Sequence, residues 1–241
     1  MKRVIDFLIS FLGLLLMTPF LLIFIMLIYL EDKNNPFYIA NRVGRNGKLF
    51  KMIKLRSMIV NAEKNGIEST SSNDARITKI GKKVRKYKLD EFTQLWNVLI
   101  GQMSLVGPRP NVLKDAEIYT EVEKELLLVK PGITDFSSII FSDEGDILKG
   151  SDEPNLAYNQ LIRPWKSRLG LIYIKNQATL LDLKIIIYTI ISIFSKKNAI
   201  RFVVSELKRI NVDPIVIKVA GRSEKLYPYP PPGSDQIVIS R

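Results

Sequence analysis

The chain has no histidine and no cysteine among its 241 residues. Without cysteine there are no disulfides, no thiolate metal sites and no thiol nucleophile, which fits a reducing compartment. Without histidine the usual zinc ligand and the usual near-neutral base are both missing. Any metal is then expected to be a hard cation bound by oxygen, and any covalent or acid/base chemistry falls to carboxylates. No Gly-rich phosphate loop of the P-loop or dinucleotide type occurs, and no internal repeat. Negative charge is short: 24 Asp and Glu face 36 Lys and Arg, a formal net charge of +12. That balance suits nucleic acid or an anionic membrane surface. Hydrophobic residues nevertheless make up 46% of the chain, which implies segregated apolar and basic parts.

The apolar part is N-terminal. Residues 7–30 contain no charge and are rich in Leu, Ile and Phe, long enough for a bilayer core, which needs roughly 20 residues. The run is too long for a signal peptide and no small-x-small cleavage site follows it. A simple spanning anchor with a kink is one reading. Two features favour a helix-break-helix that enters and leaves the same leaflet. Thr18 and Pro19 sit mid-run, where proline removes a helix hydrogen bond and threonine can satisfy a freed carbonyl. Lys2 and Arg3 precede the run and a basic region follows it, so positive charge flanks both ends. Asp6 is placed to pair with Lys2 or Arg3.

Beyond Pro36, residues 37–58 read as a hairpin turning at Asn46-Gly47. Residues 61–74 read as a polar loop. Residues 76–88 hold seven cations and no acid, the pattern of a solvated basic helix or of one lying on anionic headgroups. Ile77, Ile80, Val84 and Tyr87 form one stripe, and Leu89, Phe92, Trp96 and Leu99 continue it as a core-facing stripe. Asp90, Gln94 and Asn97 share another, polar face. Gly101 ends this helix. Pro108 and Pro110 then restrict the backbone around Arg109, which suits a guanidinium held toward an anion. Further on, 113–128 reads as an acidic amphipathic helix, 136–141 as a short strand, and 155–176 as helix interrupted at Pro164. Residues 180–194 read as an apolar helix, core or interfacial, and 199–210 as an amphipathic helix. Residues 227–233 read as a polyproline tail. These divisions give a membrane hairpin over 1–35, a catalytic domain over 36–203 and an extension over 204–241. The fold class expected is α+β, predominantly helical, with amphipathic interfacial helices and a small β-hairpin or sheet.

Five runs together resemble a family: Lys54-Leu-Arg-Ser-Met58, Lys88-Leu-Asp-Glu91, Gln94-Leu-Trp-Asn-Val-Leu99, Gly101 through Pro110, and Lys130-Pro-Gly-Ile-Thr134. They resemble the bacterial sugar transferases, more narrowly the small monotopic phosphoglycosyl transferases of the PglC type. The resemblance runs from Lys2 to about Ser195. It implies a re-entrant hairpin and a catalytic domain on the cytoplasmic face of the bacterial inner membrane. It also implies transfer of a sugar-1-phosphate from a UDP-sugar to polyprenyl (undecaprenyl) phosphate, with release of UMP and assistance by Mg²⁺. By the same resemblance Asp90 is the nucleophile and a metal-facing carboxylate, and Glu91 is its partner. Lys54, Arg56, Arg85, Gln94 and Arg109 are the expected substrate-binding residues. Expected partners are the donor, the lipid acceptor and anionic lipids, with no nucleic acid beyond the nucleotide; a second copy of the chain is a further candidate. One departure stands out. Many relatives continue Gly-Trp-Ala-Gln after Pro-Gly-Ile-Thr, whereas this chain reads Asp135-Phe-Ser-Ser, at a loop placed to line the donor pocket. Two rivals remain: a membrane-anchored glycosyltransferase releasing UDP, and a basic membrane adaptor without chemistry.

Overall fold

A computed structural model describes residues 1–62 and 74–240; most of the polar loop read at 61–74 lies outside the described residues. The fold is α+β and predominantly helical, with two small sheets.

The apolar run forms one helix, α1 (Lys2–Asp32). The expected break at Thr18-Pro19 does not end it. Pro19 has no N–H to give to the preceding turn, but Thr18 Oγ1 donates to Leu14 O at 2.6 Å, and helical geometry continues. One face of α1 is buried at Asp6, Ser10, Leu21 and Ile28, while Phe7, Leu8, Phe11, Leu12, Leu15, Leu16, Phe20 and Met26 are exposed. At about 1.5 Å per residue the helix is some 45 Å long, and it touches the rest of the chain over that whole length. Near its start, the Arg3 guanidinium donates to Val98 O and Leu99 O at 2.5 and 2.6 Å. Lys2 reaches Asp182 at 2.7 Å. Asp6 pairs with neither Lys2 nor Arg3; it accepts from Ser104 Oγ and Leu105 N at 2.9 and 3.1 Å. Further along, Leu21 and Ile28 pack with Leu55, Val84 and Leu89, and at the far end Asp32 meets Arg56 at 2.6 Å. The partners run backwards through the sequence, so α1 lies antiparallel along residues 84–99.

Strands β1 (Phe37–Val43) and β2 (Leu49–Leu55) pair antiparallel from Phe37↔Leu55 to Val43↔Leu49. Their turn carries positive φ at both Asn46 (57°) and Gly47 (75°), the geometry that makes Asn-Gly a hairpin signal. The basic stretch forms α2 (Lys79–Lys86). Lys88 then takes a left-handed conformation, φ 53°, so the next helix starts in a new direction. Short helices α3 (Leu89–Phe92) and α4 (Gln94–Leu99) follow, and Gly101 (φ 84°) ends them. This kink overturns the continuous stripe. Leu89 is buried, but Tyr87 and Trp96 are about half exposed, and the buried face of α4 is Gln94, Leu95, Asn97 and Val98.

Strand β3 (Ser104–Val106) precedes helices α5 (Leu113–Glu117) and α6 (Glu121–Lys124), so the single helix expected over 113–128 is broken into short pieces. Strand β4 (Gly132–Thr134) pairs parallel with β3. The strand expected at 136–141 is instead helix α7 (Phe136–Ile140). Its apolar residues read as strand by propensity, but Asp135 accepts from Ser138 N at 2.7 Å and caps a helix there. After α8 (Glu144–Ile147) comes α9 (Pro154–Ala157), then a π-helical turn over Tyr158–Ile162 that runs into α10 (Arg163–Lys175). The interruption read at Pro164 is that π-helical turn just before it; the carbonyl that the missing N–H of Pro164 leaves free, Gln160 O, accepts from Tyr229 N at 3.0 Å. Helices α11 (Thr179–Phe194), α12 (Lys196–Arg209) and α13 (Pro214–Ala220) complete the order. The core gathers Phe136, Ile139, Ile140, Trp165, Leu169, Tyr173, Ile185, Val203 and Leu207. Leu180, Leu183, Ile187, Ile190 and Phe194 leave an exposed apolar stripe on α11. Residue 203, taken as a domain edge, falls inside α12. The Pro-rich tail packs back onto the fold, with Tyr229 4.4 Å from the Trp165 ring and Thr120 Oγ1 donating to Pro232 O.

Candidate active site

Asp90 and Glu91 open α3, and two strands and a turn bring cations to them. Thr93 Oγ1 lies 3.0 Å from both Ile53 O and Asp90 O, which locks α3 against β2. Lys54, the next residue on β2, then reaches Asp90 at 3.8 Å. Asn97 strengthens the same seam. It accepts from Ile53 N and donates to Lys51 O, so it fixes β2 rather than joining a polar face with Asp90.

Arg109 arrives from the parallel β3–β4 pair. Gly107 N donates to Thr134 O and Gly132 N to Pro108 O, at 3.0 and 2.9 Å. The backbones approach so closely that a Cβ on Gly132 would lie 2.1 Å from Gly107 N; only glycine fits. Beyond this contact the turn at Pro108 holds Arg109, whose guanidinium donates to Ile133 O at 2.5 Å and meets Glu91 at 2.9 Å. Arg109 thus caps a turn carbonyl and faces a carboxylate at once.

The two carboxylates differ. Burial first, and then Glu91, push Asp90 above the usual carboxylate range, against the pull of Lys54, Arg85 and Arg109. Burial also acts on Glu91, but Arg109, Lys54 and Lys88 outweigh it and hold Glu91 low. The geometry agrees: Glu91 is hydrogen-bonded by a guanidinium, whereas Lys54 stands 3.8 Å from Asp90. Burial lowers Lys54, with Asp90 opposing. Asp90 is thus a carboxylate raised by burial, with no side-chain hydrogen bond among the described residues, beside cations that can offset anionic charge. The side chains of Lys54, Asp90, Glu91 and Arg109 keep 16–24% exposure, so ligands can reach them.

Arg85 lies near enough to act on Asp90 electrostatically, while its Nε donates to Ser57 Oγ at 2.9 Å. Gln94 is fully buried, one turn past Asp90, and its amide nitrogen and oxygen have no partner among the described residues. Leaving such a group unpaired costs about 1–3 kcal/mol, and a bound group is one physical reason to tolerate it. Arg56 is not brought to the site. Its guanidinium holds Asp32 at 2.6 and 2.7 Å and Asn35 O at 2.7 Å, tying β2 to the end of α1. Sequence reasoning missed Thr93, whose hydroxyl was hidden among the apolar residues of the stripe; Asp135, read as part of the departing loop, acts electrostatically on Arg109. Thr18 and Pro19 lie in α1 and are exposed.

Among the described residues no group of three or more acidic side chains could cage a metal. The donor set still fits Mg²⁺, which binds through one or two carboxylates, waters and substrate phosphates: Asp90 has uncommitted oxygens, while Glu91 is taken by Arg109.

A family model described as bacterial sugar transferase matches residues 1–196. The UDP-glucose:undecaprenyl-phosphate glucose-1-phosphate transferase of Klebsiella pneumoniae is 36% identical over 202 residues, 82% of this chain and 41% of that protein. A putative undecaprenyl-phosphate N-acetylgalactosaminyl 1-phosphate transferase of Bacillus subtilis is 42% identical over 120 residues, 50% of this chain and 65% of that protein. The exopolysaccharide production protein ExoY of Sinorhizobium fredii is 32% identical over 204 residues, 78% of this chain and 83% of that protein. The chain thus spans about two fifths of the Klebsiella protein's length.

Proposed function

Because the chain belongs to the bacterial sugar transferase family, we propose that it transfers a sugar-1-phosphate from a UDP-sugar to undecaprenyl phosphate, releasing UMP. The observation that carries this reading is the pairing of Asp90 and Glu91 under Lys54, Arg85 and Arg109, on a helix that packs beside α1. An Asp90 oxygen attacks the β-phosphorus of the donor. The bond from that phosphorus to the bridging oxygen breaks, UMP leaves, and the phosphosugar stays on Asp90 as an acyl phosphate. A phosphate oxygen of the lipid acceptor then attacks the same phosphorus, the acyl bond breaks, and Asp90 is released with the diphospholipid-linked sugar. Arg109 and Lys54 offset the charge that gathers when two anionic substrates meet a carboxylate. Glu91 positions Arg109 by holding its fork. The side-chain NH₂ of Gln94, which lacks a partner among the described residues, would donate to a phosphate oxygen of the donor. Mg²⁺, when held by Asp90 with the donor phosphates, would supply further positive charge at the diphosphate.

The reading also places the protein in the bacterial inner membrane, with the catalytic residues on the cytoplasmic face. What supports it is that both ends of α1 bind one domain while its outer face is apolar throughout. A helix lying in one leaflet satisfies both facts. Exposed Lys82, Lys83 and Lys86 on α2 suit anionic headgroups.

The test is nucleotide release from purified protein given a panel of UDP-sugars and undecaprenyl phosphate. UMP together with a lipid-linked phosphosugar is expected. Release of UDP would establish a glycosyltransferase instead, and no turnover with any sugar nucleotide would leave the adaptor.

A further inference from the structure

The start of α1 gathers cations that the carboxylate pair does not use. A Cβ built on Gly101 would lie 3.3 Å from Arg3 Nη2 and 3.5 Å from Lys130 Nζ. The two charges therefore share one stretch of bare backbone, where Gly101 turns with φ 84° between α4 and β3. We propose that Arg3 and Lys130 bind the phosphate of an anionic phospholipid headgroup, at a site apart from the carboxylates and independent of their reaction.

The donors for such a phosphate are free. Arg3 gives one N–H to Val98 O and one to Leu99 O; a guanidinium carries five, so three remain. Lys130 carries three and gives none, since it makes no hydrogen bond or ion pair among the described residues. Burial first, and then Arg3, lower the pKa of Lys130; Asp6 opposes them and Arg45 adds to them. The Asp6 carboxylate is already taken by Ser104 Oγ and Leu105 N. Three cations thus face one committed acid. Like charges held this close disfavour one another, and an anion between them removes that cost.

The surroundings suit a lipid better than a soluble anion. Val4 and Phe7 follow Arg3 on α1, Ile100 precedes Gly101, and all three are exposed. Acyl chains can lie along that apolar ground while the phosphate stays with the cations, as headgroups do in basic pockets beside membrane helices. The same end of α1 is tied to the domain through Lys2 and Asp182. A lipid held here would fix the depth at which α1 enters the leaflet.

The site is separate from the catalytic centre. The helix that carries Asp90 packs against the later part of α1, at Leu21 and Ile28, whereas Arg3 meets the end of α4. Asp90 and Glu91 respond to Lys54, Arg85, Lys88 and Arg109, and Lys130 responds to Arg3, Asp6 and Arg45. The two sets share no group.

The experiment is equilibrium binding of dioctanoyl phosphatidylglycerol, dioctanoyl phosphatidylcholine and inorganic phosphate to the full-length chain in neutral detergent, counted per chain by native mass spectrometry. Wild type is compared with Lys130→Gln, Lys130→Glu and Lys82→Gln, the last a control for diffuse charge on α2. Wild type is expected to bind phosphatidylglycerol about ten-fold or more tightly than phosphatidylcholine. Lys130→Gln should weaken phosphatidylglycerol by about ten-fold, the loss expected for a charged hydrogen bond, and Lys130→Glu should abolish the preference for the anionic lipid. Lys82→Gln should change it by less than about two-fold. Lys130 has no hydrogen bond or ion pair for these variants to remove, so melting temperatures close to wild type are expected of both. Equal affinity of wild type for the two lipids would overturn the proposal. So would unchanged phosphatidylglycerol binding in both Lys130 variants, or an equal loss in Lys82→Gln. Inorganic phosphate that displaces the lipid at equal concentration would overturn the lipid in favour of a free anion. No readout involves turnover, so failure to release UMP sinks the proposed reaction separately.

Discussion

Asp90 and Glu91 are adjacent in the chain and shifted in opposite directions. Asp90 is raised by burial and by Glu91, while Glu91 is lowered by Arg109 against burial. In the proposed reaction Asp90 attacks as the ionised carboxylate, so turnover is expected to fall as pH drops through the raised Asp90 value, above the usual carboxylate range. A pH–rate profile of UMP release checks this; a flat profile down to pH 4 would contradict it. The sign for stability is the reverse of an ordinary paired carboxylate. A carboxylate whose pKa is raised on folding holds its proton more tightly folded than unfolded, so its charged form costs stability above that pKa. Asp90→Asn should therefore abolish turnover, trap no phosphosugar, and raise the melting temperature at pH 7, about 2–4 °C for each kcal/mol regained. Glu91→Gln, by contrast, removes the partner of Arg109 and should lower both activity and stability. Arg109→Lys keeps charge but loses the fork that serves Glu91 and Ile133 O together. It should cost about ten-fold or more in kcat/KM for donor, measured beside only a modest fall in melting temperature. A large thermal loss with donor KM intact would assign Arg109 to the turn alone.

At the scale of elements, α1 is held by its two polar ends. Arg56 and Asp32 form the clamp at the later end, with two contacts of 2.6 and 2.7 Å. Asp32 is lowered first by its hydrogen bond to Arg56, so this contribution is present above the unfolded carboxylate pKa and lost as pH falls through the folded one. Arg56→Ala is expected to cost about 1–3 kcal/mol, read by thermal unfolding in nanodiscs, while donor affinity stays within about two-fold because Arg56 does not face the carboxylates. A selective loss of donor binding without loss of stability would return Arg56 to the site. The tail is a second element-scale device. Arg168 lies against both the Trp165 and Tyr229 rings, 5.4 and 4.8 Å from their centroids, and donates to Pro230 O at 2.9 Å.

At the scale of the whole molecule, the question is how a 31-residue apolar helix sits in a bilayer. A helix crossing the membrane would carry one polar end away from the domain. Here Lys2 reaches Asp182 and Asp32 reaches Arg56, so both ends stay with it. Single cysteines placed at positions 2 and 33 of this cysteine-free chain should both react only from the cytoplasmic side. Labelling of position 2 from the opposite side alone would mean that α1 spans. The same arrangement packs the helix that carries Asp90 against α1, whose outer face is apolar.

What the sequence determined by itself was local. The Asn46-Gly47 turn, the helix stop at Gly101 and the apolar length of α1 each follow from one or a few residues whose backbone or solvation preferences dominate. The cationic setting of Asp90 and Glu91 was legible for the same reason, since Lys54, Arg85 and Arg109 stand out in composition as well as spacing. Tertiary structure decided what each charge was for. Arg56 and Arg109 look alike in sequence, but the end of α1 brings Asp32 to one and the β3–β4 approach brings Glu91 to the other. Trp96 fits a core stripe by spacing, yet the left-handed turn at Lys88 rotates the following helices and leaves it half exposed. Residues 136–140 carry strand-forming side chains, and a single carboxylate at Asp135 turns them into a helix. Periodicity reads one element at a time; ion pairs and caps are settled only by what folding brings alongside.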